Sequence, residues 1–397
     1  MKKILFLIFL FALIVRLIFI LGFQQPPVSS DAKGYDELGM SLLEKKGFSF
    51  QGFPTVRREP VYPLFLSGIY LLFGHSYLAV RLIQSVIGAL GVIFVFLIGK
   101  KVFSERCGYL AAIFYSLYPH FILTTGFLLT EALYIPLLLI AIFFIINCLE
   151  RDKVVWYAVA GVFMGVVTLC RSITLFFPAF FFLMLLFLRN KKRALFCTFV
   201  FSIAMGLTIL PWTIRNYIRS GYFVPIAIGG GSSFWTGSYI PWDGDWKYYD
   251  LTDFNKVTER LNKESALSEV EIDKGLYQEG LRNIRENPIG YINLYIKKIF
   301  RLWFWIPGGK EVLKGYPVVK IGLAIIQYAV IFLAVLGIVL ARKMWKRFIP
   351  LVTIILYFTI IYCVFHAIPR YNLPIFPYLF VFVSAAILYI NKDRSLV

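Results

Sequence analysis

ILFLIFLFALIVRLIFILG, residues 4–22, decides which solvent this chain folds in. The run is apolar throughout except for Arg16. As a helix rising ~1.5 Å per residue it is long enough to cross a hydrocarbon core of ~30 Å. Similar runs recur at 77–99, 107–124, 130–148, 154–170, 173–188, 195–211, 318–340, 348–367 and 373–390. The reading is an all-α, polytopic membrane protein with about ten transmembrane helices. Composition agrees: the 397 residues are 59% hydrophobic and only 16% charged, where soluble domains are about a quarter charged. Met1-Lys2-Lys3 before the first run resembles a signal peptide, but no small-x-small site follows. Gln24-Gln25-Pro26-Pro27 follows instead, so the expectation is an uncleaved first span.

The net charge of +19 would suggest nucleic acid in a soluble protein. Here Lys2/Lys3, Lys100/Lys101/Arg106, Arg151/Lys153, Arg189/Lys191/Lys192/Arg193, Arg342/Lys343/Lys346/Arg347 and Lys392/Arg394 fill every second connection. The positive-inside rule makes these cytoplasmic. The remaining connections are then extracytoplasmic, and two of them are long. The expected division is an N-terminal transmembrane module over 1–211 with a first outer loop at 23–76, an outer loop domain at 212–316, and a C-terminal transmembrane module over 317–397. Small inner turns and elaborate outer loops place the chemistry outside.

Both outer loops carry short amphipathic stretches. Residues 61–74 are apolar but too short to span, and read as an interfacial helix; a crossing there would invert every later side assignment. Residues 32–46 set Tyr35, Leu38, Leu42 and Leu43 at helical spacing, a short helix lying on the membrane. A third begins at Pro288, with Tyr291, Leu294, Tyr295, Ile299 and Leu302 as its stripe and Lys297, Lys298 and Arg301 at headgroup depth. Gly229-Gly230-Gly231-Ser232-Ser233 reads as a flexible turn, since no Gly-Lys-Ser/Thr follows to make a phosphate loop. The cysteines Cys107, Cys148, Cys170, Cys197 and Cys363 sit in or beside apolar runs without Cys-x-x-Cys spacing. They imply neither a disulfide framework nor a zinc site.

Candidate chemistry gathers at the outer ends of the spans. Ser29-Ser30-Asp31 opens the first outer loop, with Tyr35 four residues on and on the same helix face. Asp31 reads either as the N-cap of helix 32–46 or as a general base at the water–lipid boundary. Arg57-Arg58-Glu59-Pro60 closes that loop. Its arginines either snorkel to headgroups or clamp a lipid phosphate. Arg16, Glu131, Arg171, Arg215, His366 and Arg370 fall within or at the ends of apolar runs, where ionisable groups are functional candidates. Internal pairing of Arg16 with Glu131 is the alternative. His75 and His120 stand alone, and no His/Asp/Glu cluster has metal-cage spacing. The residues by themselves reach as far as a membrane protein with an anionic-lipid site on its outer face.

The same stretches resemble a family. Leu13-Ile-Val-Arg16-Leu17, Asp31-x-x-x-Tyr35, Arg58-Glu-Pro-Val-Tyr62-Pro63, Phe73-Gly74-His-Ser, Arg81-Leu-Ile-Gln84, Tyr118-Pro119 and Leu129-Thr130-Glu131 occur in order. Cys170-Arg171-Ser172, Pro211-Trp212-Thr-Ile-Arg215-Asn216-Tyr217 and Arg370-Tyr371-Asn-Leu-Pro374 complete the series. Over most of its length the chain resembles the GT-C superfamily of polyprenyl-phosphate-sugar glycosyltransferases, in the branch of the protein O-mannosyltransferases and the lipid A aminoarabinose transferase. The resemblance implies that Asp31 is the catalytic base and that the end of the first loop, Arg57, Arg58 and Glu59, helps to bind the donor phosphate. It departs in detail: the aminoarabinose transferase has Glu-Lys before the proline where this chain has Arg58-Glu59, and the C-terminal outer region is smaller here.

The reaction implied is inverting transfer of a monosaccharide from a polyprenyl-phosphate-sugar to an acceptor glycan, lipid or protein. The donor phosphate would lie under Arg57 and Arg58, with Arg215 or Arg370, and Tyr35, Glu59, Glu131, Arg171 and Arg16 would be supporting polar groups. No metal ligand is assigned and no cofactor is fixed by the sequence, which leaves a divalent metal open. The expected partners are the lipid-linked sugar, the acceptor and membrane lipids, without nucleic acid. The expected location is a bacterial or archaeal plasma membrane with the site extracytoplasmic. A flippase or transporter for an anionic lipid-linked sugar, or a polysaccharide polymerase or ligase, would use the same arginines. Sugar, acceptor and oligomeric state are not written in the sequence.

Overall fold

A computed structural model describes every residue except 1, 29, 246–250, 266, 267, 307–315 and 392–397. Ser29 and the terminal Lys392/Arg394 pair therefore lie outside the described residues. Among the described residues the chain is helical apart from one antiparallel hairpin, Ser49–Phe50 with Phe53–Pro54. Seven helices are long and apolar enough to cross a membrane: Lys3–Gly22, Tyr77–Val102, Glu131–Arg151, Lys191–Ser220, Pro317–Leu340, Arg342–Val364 and Pro369–Ile390.

The other three expected passes are shorter or broken. Val154–Cys170 and Ser172–Leu186 are apolar helices of fewer than 18 residues. The run 107–124 divides into Glu105–Leu117 and Pro119–Leu123. Tyr118 between them is extended, at φ −67° and ψ 118°, because the residue before a proline is pushed out of the helical region. The opposite correction applies to 195–211. Helix Lys191–Ser220 runs straight through Pro211 and stops at Gly221, whose φ is +73°. The second long loop therefore starts beyond the expected 212.

Basic connections meet at one end of the bundle. Lys101 pairs with Glu150, Lys100 with Glu105, and both Arg189 and Arg193 reach Asp152. The long loops occupy the other end. Between the two ends the helices approach closely at small residues, as membrane helices do. A Cβ at Gly161 would stand 2.2 Å from Phe201 O, so helices Val154–Cys170 and Lys191–Ser220 touch backbone to backbone.

The first loop folds on itself rather than onto lipid. Helix Asp31–Leu43 spends its apolar stripe on helix Val61–Phe73: Tyr35 is buried with Tyr62, Leu66 and Tyr70, and a Cβ at Gly39 would be 2.9 Å from Leu66 Cβ. The expectation that residues 32–46 lie on the membrane is corrected accordingly. Val61–Phe73, with 13 residues, reaches only ~20 Å and cannot span. Its Leu64, Leu71, Leu72 and Phe73 are exposed, as an interfacial helix requires. Asp36 ties the two helices together, accepting from Tyr70 Oη at 2.6 Å and Tyr77 Oη at 2.8 Å, with His75 Nε2 at 2.8 Å.

The second loop reverses two expectations. The glycine run is the start of helix Gly230–Ser238, capped by Asp273 Oδ1, which accepts from Gly229 N at 3.0 Å and Gly231 N at 2.9 Å. Helix Pro288–Phe304 turns the other way round. Leu294, Lys298, Arg301 and Leu302 face the protein, while Ile289, Ile292, Ile296, Phe300 and Phe304 are exposed. Lys298 and Arg301 are thus buried, not at headgroup depth. A stripe of tyrosines and leucines on one side and one of isoleucines and phenylalanines on the other left the apolar direction ambiguous.

Candidate active site

Asp31 is the first residue of its helix, not the cap. Ser30 occupies the cap position at φ 50° and makes no side-chain cap bond. The Asp31 carboxylate is thereby free for other partners, and two arginines take it. Arg58 Nη2 donates to Oδ1 at 2.8 Å and Arg370 Nη2 to Oδ2 at 3.1 Å. Arg58 comes from the end of the first loop, just before Pro60 starts helix Val61–Phe73. Arg370 comes from the short 3-10 turn Pro369–Ile375 that opens the last span. Burial pushes the Asp31 carboxyl up, but the two guanidiniums outweigh it and hold it below the usual carboxylate range. All three side chains remain about a third exposed.

Behind them lies a drier pair. Glu131 opens helix Glu131–Arg151 with its side chain 5% exposed, and Arg171 Nη1 donates to its Oε1 at 3.2 Å. Arg370 Nε stands 3.6 Å from the same oxygen. Arg370 therefore bridges two carboxylates, the part-exposed Asp31 and the buried Glu131. Arg171 leaves its helix in an extended conformation, φ −155°, and its guanidinium lies 4.6 Å from the centre of the Tyr371 ring. Glu59 braces the turn beside it, accepting from Ser172 N at 3.0 Å and Ser172 Oγ at 2.7 Å. Tyr35 is buried with the Arg58 guanidinium 5.0 Å above its ring. Burial, then the charge of Glu59, push its phenol up, so it stays protonated.

The other candidates are placed elsewhere. Arg57 faces away from Asp31 and pairs with Glu269 at 2.8 Å, joining the two long loops. Arg215 donates to Thr55 O at 2.7 Å and Phe48 O at 3.0 Å and lies over Trp212 and Phe48, which fixes the hairpin of the first loop. Arg16 is fully buried within the bundle, donating to Ala12 O at 2.9 Å. It makes no ion pair with Glu131, whose partners are Arg171 and Arg370. His366 is buried beside Asp245 at 3.4 Å. Burial, then Lys298, Arg301 and Arg370, push its pKa down to about 3, so it is neutral. Both Asp31 oxygens and Glu131 Oε1 already face guanidiniums, and among the described residues no three His, Cys, Asp or Glu side chains converge.

Sequence reasoning did not find Tyr371 and Tyr362, stacked 4.7 Å apart behind Arg171, or Ser172 as the partner of Glu59. Tyr371 adjoins Arg370 in the quoted motif, which was the available signal. The tyrosine at 362 sits in an apolar run and gave none.

Comparison with known proteins bears on the fold. Residues 57–214 match the family model of the dolichyl-phosphate-mannose-protein mannosyltransferases. No curated protein sequence matches the chain. Among solved structures, the oligosaccharyltransferase AglB from Archaeoglobus fulgidus, in complex with an inhibitory peptide and a dolichol-phosphate, superposes with a TM-score of 0.61 at 14% identity, over 99% of this chain and 51% of AglB. The apo form of the Archaeoglobus fulgidus oligosaccharyltransferase gives 0.62 at 15% identity, over 99% and 50%. ArnT from Cupriavidus metallidurans bound to undecaprenyl phosphate gives 0.47 at 13% identity, over 97% and 78%. The chain spans about half the length of the oligosaccharyltransferase chains it matches. It has their membrane fold, and it resembles the GT-C glycosyltransferases as its sequence motifs led us to expect.

Proposed function

We propose that this chain is a membrane glycosyltransferase that takes a monosaccharide from a polyprenyl-phosphate-linked donor and passes it, with inversion, to an acceptor hydroxyl on the extracytoplasmic face. The observation that carries the reading is the Arg58–Asp31–Arg370 contact, a part-exposed carboxylate held between two arginines beside a drier Glu131–Arg171 pair. The fold shared with AglB supports it, since that protein was solved with a dolichol-phosphate.

The arrangement supplies both groups that such a displacement needs. A lipid phosphate beside Asp31 would draw Arg58 and Arg370 toward its own oxygens, since charge-assisted bidentate contacts to phosphate are the strong ones. Asp31 would lose the two charges that hold its pKa down, and its basicity would rise. The acceptor oxygen then forms a bond to the anomeric carbon as the bond from that carbon to the phosphate oxygen breaks. The electron pair leaves with the phosphate, and the hydroxyl proton goes to Asp31. The arginines stabilise the charge that develops on the leaving phosphate. A single displacement of this kind inverts the anomeric centre.

The test is transfer from radiolabelled polyprenyl-phosphate sugars by the purified protein with a membrane acceptor fraction, comparing wild type with Asp31→Asn. Transfer by the wild type and a loss of about 100-fold or more in the folded variant is the expected result. Equal turnover in both would remove Asp31 as the base. Lipid binding without transfer from any donor in the panel would remove the transferase reading.

A further inference from the structure

Lys298 is an amine in an unusual place. It is fully buried on the inward face of helix Pro288–Phe304, and its Nζ donates to two backbone carbonyls, Gly237 O at 2.6 Å and Phe365 O at 3.0 Å. The first closes the loop helix Gly230–Ser238. The second lies between helix Arg342–Val364 and the turn that carries Arg370. These two backbones touch at this point, since a Cβ on Gly237 would fall 1.8 Å from Phe365 O. Lys298 thus staples the outer loop to a segment five residues from the arginine that bridges Asp31 and Glu131.

The rest of its helix holds the same segment. Tyr291 Oη donates to Val364 O at 3.2 Å, and Asn372 Nδ2 donates to Leu302 O at 2.7 Å. Bonds from this one helix therefore flank Arg370 at positions 364, 365 and 372. A buried ammonium without a carboxylate partner is a poor way to gain stability, and apolar replacement of such groups is often neutral or stabilising. Among the described residues no carboxylate pairs with Lys298. Its neighbours are Arg301 and the Tyr291 ring on its own helix and Cys363 and His366 on the facing segment. The nearby Asp243 is held by Lys297 and Arg301, and Asp245 lies near Arg301 and His366.

We propose that Lys298 is a positioning residue for Arg370, fixing the turn that carries it so that the guanidinium can reach the phosphate of a polyprenyl lipid. This rests on the transferase reading for its purpose, but its effect is on lipid-phosphate binding and can be read without turnover.

The experiment uses the full chain in nanodiscs, with undecaprenyl phosphate as the binding probe and thermal unfolding measured alongside. Lys298→Met is unbranched and one atom shorter, fills most of the same space and removes both bonds. It should unfold at the wild-type temperature or above and bind the lipid about tenfold more weakly. Lys298→Gln, which can still donate to both carbonyls, should recover most of the binding. In an Arg370→Ala background, Lys298→Met should cost nothing further. Unchanged binding in Lys298→Met would overturn the proposal, as would full additivity with Arg370→Ala. A variant that loses folding and binding together, without rescue by glutamine, would make Lys298 merely structural. Wild-type binding without sugar transfer would defeat the transferase reading and leave this one to be judged on the same binding data. No binding by the wild type would defeat both.

Discussion

Arg370 Nη2 lies 3.1 Å from Asp31 Oδ2, a contact across 339 positions of sequence. Its consequence is that the protonation of a group in the first loop is set by Arg58 from the same loop and also by a turn far along the chain. Burial raises the Asp31 carboxyl, and Arg58 and Arg370 more than reverse it, leaving a net fall. The expected acid limb of kcat/KM therefore lies below the ordinary aspartate value of about 3.9, and Arg370→Gln moves it to higher pH. The same sign holds for stability. A depressed carboxylate contributes stability above its unfolded pKa and loses it as pH falls through the folded one. A pH–rate profile whose acid limb is unmoved by Arg370→Gln would count against the pairing.

Adjacent arginines should behave very differently. Arg58→Ala removes a charge bonded to Asp31 and should lower transfer about 100-fold. Arg57 and its partner Glu269 are both about half exposed, so Arg57→Ala should cost at most about 1 kcal/mol of stability and leave transfer near wild type. Parallel assays of the two single variants check this, and equal losses would place Arg57 on the donor after all.

Gly39 fixes the spacing of the two first-loop helices. With Leu66 Cβ 2.9 Å from the position of an added Cβ, Gly39→Val forces helix Asp31–Leu43 away from Val61–Phe73. The expected cost is about 1–3 kcal/mol, seen as a lower Tm in detergent, with transfer reduced because Asp31 shifts relative to Arg58. Wild-type Tm and activity would show that this helix pair has room to adjust.

Lys298 should leave a mark on stability against pH. Burial pushes its pKa down to about 7, below the ordinary lysine value of about 10.4. Between these two values the unfolded chain binds more protons than the folded one, so stability rises with pH across that window. Below pH 7 the full cost of the buried charge remains. The neutral amine still has two N–H groups for its two carbonyls. Thermal unfolding from pH 6 to pH 10 should show the rise in wild type and a flatter curve in Lys298→Met.

Much of this was legible in the sequence because hydrocarbon imposes a length and a pattern. The spans, the basic connections and the two long loops all follow from apolar runs and the positions of lysine and arginine. Asp31, Arg58, Glu131, Arg171 and Arg370 stood out because ionisable groups at the ends of spans are expensive. How they pair did not, since pairing depends on helix packing across hundreds of positions. Arg215 carried the same signal as Arg370 yet serves the backbone of Phe48 and Thr55. Helix Pro288–Phe304 was misoriented because both its faces are apolar, and only the buried Lys298 and Arg301 reveal which one turns inward. The glycines at 229–231 read as a turn because their helix is capped by Asp273, over forty residues away.

Biosynthesis meets the Asp31–Arg370 pair in a fixed order. The carboxylate emerges with the first span, Arg58 soon after it, and Glu131 and Arg171 with the middle of the bundle. The arginine that bridges the two carboxylates arrives only with the last pass. A nascent chain therefore holds two separate ion pairs, Asp31 with Arg58 and Glu131 with Arg171, until the helix that follows Arg370 joins them into one network.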